Sequence, residues 1–203
     1  MGFHGDLYLL ELIDILINKY SIKNFIETGT RFAGTLKYVA EEYPELQCYS
    51  CEPQKHGYNI SKRDTKLLKN VFLEQEKSQT FLKKLPKKLY KENNLFWLDA
   101  HGQGFEWPLR FEIDFITKHF KNCFILIDDF KVPDNNNFRC DSYQDQICSF
   151  EYIKDYINCS YQLYYPNYSK RTLTYHPLVG WGLFDINMNF IITKDINQII
   201  KQS

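Results

Sequence analysis

Short apolar segments alternate with amphipathic helical segments through most of the chain, and this alternation limits the fold more than any other feature. Each apolar segment has the length of a strand, and a helical segment separates it from the next. Strands that alternate with helices form a parallel sheet with helices on both faces. The predicted strands lie within KNFIETGT (at residues 25–26), LQCYSCEP (46–53), NVFLEQ (70–75), NLFWLDA (94–100) and NCFILIDDF (122–130).

The central strands favour a doubly wound, Rossmann-like α/β fold with a mostly parallel sheet. LFWL (95–98) and FILI (124–127) are continuous apolar runs, which is typical of parallel strands buried on both faces. A chain of 203 residues can form one sizeable core but is short for two. We therefore predict a single domain over residues 1–203, in which the polar and aromatic residues 131–180 contribute a lid or acceptor region.

Helical spacing and helix-end signals predict the intervening helices. Ser78 is a plausible N-cap, and Pro108 is tolerated in the first turn of its helix. Short strands should follow within residues 161–186, before the apolar segment NFIIT (189–193). The predicted helices span residues 7–20, 33–44, 55–69, 78–91, 106–120 and 147–157.

Charge and composition exclude several classes of partner. Formal net charge is zero, so no global field favours nucleic acid or an anionic membrane. No apolar run approaches the ~20 residues that span a bilayer. The apolar N-terminal residues recur at helical spacing among acids and do not resemble a signal peptide, so we expect a cytoplasmic protein. The Lys-rich residues 83–91 are interpreted as a solvated helix face that is broken near Pro86, rather than as a phosphate-binding patch.

The six cysteines are interpreted as reduced core thiols rather than as a disulfide framework. Cys48 and Cys51 form a CxxC, but both lie in a predicted strand. Residues three apart on a strand point to opposite faces, so the two sulfurs should not converge on a metal. We therefore predict a structural role for both.

Polar residues stand where the apolar strands end. In open α/β sheets, ligands bind at the carboxyl ends of the strands, so one rim of the sheet should gather these side chains. A buried strand gains nothing from such residues unless its end opens onto a site. The strand-end residues are Glu27, Glu52, Asp99, His101, Asp128 and Asp129.

The segment IETGTRFAGT (26–35) joins the first strand to the next helix. Gly29 permits a tight turn, and Gly34 permits close approach of a ligand or helix. The spacing departs from the GxGxxG dinucleotide pattern. Glu52 follows roughly 20 residues later, where an acid commonly binds ribose hydroxyls. Together these features favour nucleoside binding, although Glu52 could instead cap the next helix.

The motifs FIETGTRFAGT, CYSCEP, FWLDAHG and ILIDDF, in this order, resemble those of class I S-adenosylmethionine-dependent methyltransferases. Within that class, the chain is similar to the metal-dependent O-methyltransferases of the macrocin type, which act on sugar hydroxyls of natural products. The resemblance covers about residues 20–130. It implies an enzyme that transfers a methyl group to a small-molecule or sugar hydroxyl.

The resemblance also implies site residues. The turn would hold the methionine part of S-adenosylmethionine, Glu52 the ribose, and two later residues would lie near the adenine. A divalent metal, usually Mg²⁺, would bind three aspartates. The implied cofactor residues are Glu27, Thr28, Gly29, Thr30, Gly34, Thr35, Glu52, Glu76 and Ser78, and the implied metal ligands are Asp99, Asp128 and Asp129.

Two positions depart from these relatives. Residue 33 is Ala where they more often have Gly, a small change that should leave cofactor binding intact. Residue 101 is His where many have a second acid, which suggests an imidazole base. The DAHG sequence also resembles metal-dependent amidohydrolases, but their further Asp and His motifs are missing.

Elementary chemistry supports the same site. Carboxylates brought together repel one another unless a cation lies between them, and oxygen ligands suit Mg²⁺. Such an ion would lower the pKa of a substrate hydroxyl, His101 could remove the proton near neutral pH, and Asp99 would help to hold the ion.

Other interpretations stay open at this point. The same carboxylates could serve a metal-dependent hydrolase, or the chain could be a non-catalytic nucleoside-binding module. Asp128 and Asp129 could merely cap the following segment. The Tyr-rich stretch 161–177 could bind a sugar ring or pack in the core. The sequence does not indicate the oligomeric state.

Overall fold

The computed structural model describes residues 2–100, 107–168, 178–194 and 196–203. The α-helices are α1 (Leu7–Lys19), α2 (Gly34–Glu42), α3 (Lys55–Thr65), α4 (Ser78–Lys84), α5 (Leu109–His119) and α6 (Phe150–Ile153). The strands are β1 (Asn24–Thr28), β2 (Gln47–Cys51), β3 (Val71–Glu74), β4 (Asn93–Leu98), β5 (Asn122–Ile127), β6 (Ser142–Tyr143), β7 (Gln146–Ile147), β8 (Gln162–Pro166), β9 (Gly182–Ile186) and β10 (Ile200–Gln202).

Among the described residues, eight strands form one sheet in the order β10-β8-β9-β5-β4-β1-β2-β3, and β6 and β7 form a separate two-stranded sheet. The strands β1 to β5 run parallel, whereas β9 lies antiparallel to both β5 and β8. Right-handed crossovers place helices on opposite faces of such a sheet, because the chain winds outward in both directions from its centre. The predicted doubly wound α/β fold is confirmed.

The order of the strands reverses between β1 and β4, which are paired in register from Asn24 with Asn94 to Thr28 with Leu98. Such a reversal opens a crevice at the carboxyl ends of the strands, where α/β proteins bind ligands. All five residues of β1 are buried, as are the last five of β4 and of β5. The apolar runs in the sequence therefore correspond to strands covered on both faces.

Some element boundaries differ from the prediction. The helix expected over residues 78–91 ends at Lys84, and a 3-10 turn follows at Lys87–Lys91. Pro86 explains the break, because proline disfavours helical backbone in the residue before it. Ser78 is not the N-cap but the first helical residue, after Lys77.

Two further helix predictions were too long. The helix predicted over residues 55–69 ends at Thr65. The one predicted over 147–157 consists of α6 and a 3-10 turn at Lys154–Tyr156. Residues 101–106, at the start of a third predicted helix, lie outside the described residues.

The described part of the Tyr-rich stretch contributes to the core. β8 lies in the main sheet, and Tyr164, Tyr165 and Tyr168 are buried. Residues 169–177, which complete that stretch, lie outside the described ranges. None of the six cysteines, which all lie in the described ranges, forms a disulfide, and Cys48 and Cys51 are both buried. Among the described helices, none has the length and apolar character to cross a membrane.

Gly29 should be essential for the junction between β1 and β4. Its φ is +86°, and a Cβ at this residue would lie 2.3 Å from the carbonyl oxygen of Asp99. We therefore expect Gly29→Ala to lower the free energy of unfolding by at least about 2 kcal/mol. Gly34→Ala is the matched control, since its Cβ would meet nothing within 4 Å and should change stability by no more than about 1 kcal/mol. Urea denaturation measures both, and equal effects would contradict this packing.

Candidate active site

The turn after β1 is tied to the end of β2. The backbone N–H groups of Gly29 and Thr30 both donate to the carbonyl oxygen of Cys51, at 3.1 Å each. The Ser50 hydroxyl donates to Glu27 Oε2 at 2.6 Å, and Thr30 and Ser50 are joined through their hydroxyls. These bonds hold the first turn at the carboxyl edge of the sheet, as the sequence predicted.

Glu27 is a buried acid at the base of this turn, with 2% of its surface exposed. Burial raises the pKa of Glu27 to about 7, although the hydrogen bonds from Ser50 and Thr30 favour its charged form. The nearby Glu52 carboxyl raises this pKa further. Glu27 therefore supports the turn through its bond with Ser50, and its place in the cofactor site stays a prediction.

The turn enters α2 through left-handed backbone at Arg31 (φ 50°) and Ala33 (φ 58°). Glycine adopts left-handed backbone most easily. This agrees with the glycine that the family resemblance leads us to expect at position 33. Ala33 adopts it as the residue that precedes α2. Thr35, in the first turn of α2, accepts a hydrogen bond on Oγ1 from the backbone N–H of Phe3 at 3.2 Å.

Glu52 links the turn to α3. Its Oε2 accepts from the Arg31 backbone N–H and its Oε1 from the Gln54 backbone N–H, each at 2.8 Å. Gln54 directly precedes α3, so the carboxylate does bind at that helix start, as the alternative interpretation expected. The same contacts fix both oxygens beside the turn, and Glu52 keeps 7% exposure at the edge of the sheet.

The two residues expected near adenine differ in their surroundings. Glu76 is half-buried and forms an ion pair with Lys84, whereas Ser78 is buried at the start of α4. Glu112, on the inner side of α5, is fully buried near Ser78 and Thr28. Burial raises the pKa of Glu112 to about 7, and the two hydroxyls act in the opposite direction. Sequence reasoning missed Glu112 because an acid within a helix resembles a surface residue.

Three aspartates converge at the ends of β4 and β5. Asp99, Asp128 and Asp129 each place a carboxylate oxygen within 4.8 Å of the others. Burial raises the pKa of Asp99 well above its ordinary range, and the charges of Asp128 and Asp129 add to this effect. Burial, then Asp128 and Asp141, raise the pKa of Asp129 to about 7. Such repulsion between buried acids is relieved when a cation lies among them.

The donor set fits a hard divalent cation. Carboxylate oxygens are the ligands that Mg²⁺ prefers. Asp128 is 1% exposed, and its Oδ1 has no hydrogen-bond partner among the described residues. A buried carboxylate oxygen without a partner is costly, so an ion at this position would satisfy it.

A histidine that the sequence analysis did not identify contacts this cluster. His4 Nε2 lies 2.6 Å from Asp128 Oδ2. In the sequence, His4 is notable only because it lies between Phe3 and Gly5, just before the first helix. His101, the expected base, lies outside the described residues.

The sequence matches no protein-family model, and no curated protein is significantly similar to it. Solved structures do match most of the chain. An O-methyltransferase from Bacillus cereus, in complex with S-adenosylhomocysteine, has a TM-score of 0.61 at 14% identity, over 87% of this chain and 80% of its own. TomG from Streptomyces achromogenes, an O-methyltransferase of tomaymycin synthesis solved with S-adenosylmethionine, has a TM-score of 0.59 at 10% identity, over 87% and 78%.

A methyltransferase with another type of acceptor is also similar. The precorrin-6y C5,15-methyltransferase from Geobacter metallireducens has a TM-score of 0.52 at 13% identity, over 86% of this chain and 87% of its own. The chain therefore has the fold of class I S-adenosylmethionine-dependent methyltransferases, as the sequence motifs predicted. Identities this low establish the fold alone, so the reaction and its acceptor must be argued from the site.

We expect Glu112→Gln to change how stability depends on pH. The pKa of Glu112 is about 7 in the folded chain, against an ordinary value of 4.5. Ionisation of this acid therefore favours the unfolded chain, and the free energy of unfolding falls as pH rises between these two values. The free energy of unfolding of Glu112→Gln, relative to that of wild type, should therefore rise by on the order of 3 kcal/mol between pH 4.5 and pH 8. Urea denaturation at several pH values measures this gain. Parallel pH profiles would show that Glu112 is not buried as an acid.

Proposed function

We propose that the protein is an S-adenosylmethionine-dependent O-methyltransferase, assisted by a divalent metal, that methylates a hydroxyl of a small molecule or sugar. The observation that carries this proposal is the meeting of two half-sites at one edge of the sheet. The turn after β1, with Glu52, offers a nucleoside site, and the three aspartates offer a metal site beside it. A hydrolase would need only the aspartates, and a binding module would need only the turn.

The junction of β1 and β4 supports a reaction between the two half-sites. The Asp99 backbone N–H donates to the Thr28 carbonyl oxygen at 3.0 Å, so the first aspartate directly adjoins the turn. A methyl donor and its acceptor must be aligned within a few ångströms for transfer. Neighbouring strand ends on a rigid sheet provide such alignment without a mobile element.

Each group of the proposed site has one role. The turn would bind the methionine part of the cofactor, and Glu52 would accept from the ribose hydroxyls with lone pairs that its two backbone donors leave available. Bound S-adenosylmethionine supplies an activated methyl group, and a bound Mg²⁺ ion lowers the pKa of the acceptor hydroxyl. His101 would take the proton of that hydroxyl. A cytoplasmic location is part of this proposal, because that compartment keeps buried thiols such as Cys48 and Cys51 reduced.

The cofactor assignment predicts that S-adenosylhomocysteine binds the wild-type chain and binds Glu52→Gln more weakly. An amide at residue 52 would direct an N–H toward a ribose hydroxyl or a backbone donor. We expect a loss of about 1–3 kcal/mol, or roughly 5- to 150-fold in Kd, by titration calorimetry. The exposed Glu41→Gln, on α2, is the control and should bind as wild type does. Equal affinity in Glu52→Gln would exclude this role.

The metal assignment predicts opposite effects of Asp99→Asn with and without Mg²⁺. Without the ion, removal of one of three crowded acids should raise Tm, because repulsion in the cluster falls. With Mg²⁺ at about 100 times its Kd, wild type should gain roughly 2.7 kcal/mol, whereas Asp99→Asn should lose most of this gain. Asp145→Asn, in the turn between β6 and β7, is the control. The metal site is wrong if Mg²⁺ fails to stabilise wild type, or stabilises Asp99→Asn equally.

A further inference from the structure

The N-terminal residues before α1 lie against the proposed active site and are anchored there by Phe3. The Phe3 ring is fully buried and packs edge-to-face on Trp97, with ring centres 4.9 Å apart. It also makes edge-to-face contacts with Phe25 and Tyr38. The hydrogen bond from the Phe3 backbone N–H to Thr35 Oγ1 joins this segment to the first turn of α2. Phe3 therefore fixes the segment to β1, α2 and β4.

Asp6 forms a second anchor three residues later. Its Oδ1 caps α1 by accepting from the backbone N–H groups of Tyr8 and Leu9, at 3.1 and 3.3 Å. Its Oδ2 accepts from the Tyr168 hydroxyl at 2.6 Å. Trp181 Nε1–H donates to the same hydroxyl at 3.1 Å. The segment is thus held both by the core and by the C-terminal strands.

Between the two anchors, the backbone is left-handed at three successive residues: Phe3 (φ 51°), His4 (φ 55°) and Gly5 (φ 65°). Such backbone costs about 1–2 kcal/mol at each residue other than glycine. It persists only where the surrounding contacts determine it, and it is most common at functional sites. Here it directs the His4 side chain to Asp128, with Nε2 at 2.6 Å from Oδ2.

We propose that His4 is a positioning residue of the metal site, which orients Asp128 for the ion. This inference rests on the proposed metal-assisted function. A carboxylate that binds a metal ion is ionised and can only accept hydrogen bonds, so in that state His4 Nε2–H would donate to Oδ2. The bond fixes the plane of the carboxylate and leaves the buried Oδ1 for the ion. Carboxylate ligands are commonly held in this way, and loss of the supporting residue typically weakens metal affinity 10- to 100-fold.

Three substitutions of His4 test whether the hydrogen-bond donor matters and where it must lie. His4→Ala removes the donor. His4→Gln places an amide N–H near the former position of Nε2, whereas the shorter His4→Asn cannot reach Asp128 in the same way. His119→Ala is the control, since His119 is exposed and packs on Tyr90 and Phe115 away from the aspartates.

The test is Mn²⁺ affinity of the full chain, measured from the free-ion signal in electron paramagnetic resonance. We expect His4→Ala to bind Mn²⁺ about 10- to 100-fold more weakly, His4→Asn to behave similarly, and His4→Gln to recover most of the loss. His119→Ala should match wild type. Thermal unfolding of each apo variant shows that it is folded, and a purely structural role would lower Tm without selective rescue by Gln.

Three results would overturn the inference. Wild-type Mn²⁺ affinity in His4→Ala would show that Asp128 needs no support from His4. Equal weakening in His4→Ala and His4→Gln would show that the donor is irrelevant. Absence of Mn²⁺ binding by wild type would overturn both this inference and the metal assignment. Titration of that same sample with S-adenosylhomocysteine then shows whether the cofactor site stands independently.

Discussion

The pairing of β1 with β4 is the contact on which the rest of the site depends. It brings the Gly29 turn against the Asp99 backbone, with no space for a side chain between them. The half of the crevice that we propose for the nucleoside belongs to β1 and β2, and the half with the three aspartates belongs to β4 and β5. Without this pairing, each half would be an ordinary loop with acidic residues. With it, the turn after β1 and the three aspartates lie at one edge of the sheet.

Several acids and backbone conformations at the edge that this pairing creates are energetically unfavourable by themselves. Burial raises the pKa of Glu27, Asp99 and Asp129, which means that the folded chain opposes their ionisation. Left-handed backbone at residues other than glycine occurs at the same edge, at Arg31, Ala33 and Asp129. Locally unfavourable features that gather at one place are expected of a functional site, where ligands compensate for them.

Much of the fold could be predicted because its information is local. The runs LFWL and FILI indicate β4 and β5, and Pro86 indicates the break after α4, because proline disfavours helical backbone in the residue before it. The site acids were predictable for the same reason, since parallel strands bring their carboxyl ends to one edge. The hydrogen-bond partners of these acids were harder to predict. Glu52, for example, accepts from two backbone N–H groups, one on each side of it in the chain.

His4 and Glu112 could not be predicted, because their roles depend on contacts between distant parts of the chain. His4 and Asp128 are separated by 124 positions, and nothing in the pattern around either residue indicates the other. Glu112 lies in a helix whose charged residues otherwise face solvent, so only the packing of α5 near Ser78 reveals that it is buried. Side-chain placement of this kind follows from the tertiary structure alone.

The central claim is that one crevice holds both a nucleoside cofactor and a divalent ion. A crystal structure of the chain with S-adenosylhomocysteine and Mn²⁺, with anomalous scattering to locate the metal, tests it most directly. We expect one anomalous peak among the Asp99, Asp128 and Asp129 carboxylates, with the cofactor ribose on Glu52 and the cofactor sulfur between Glu52 and the metal. A metal peak elsewhere, or a cofactor outside the crevice between β1 and β4, would contradict it.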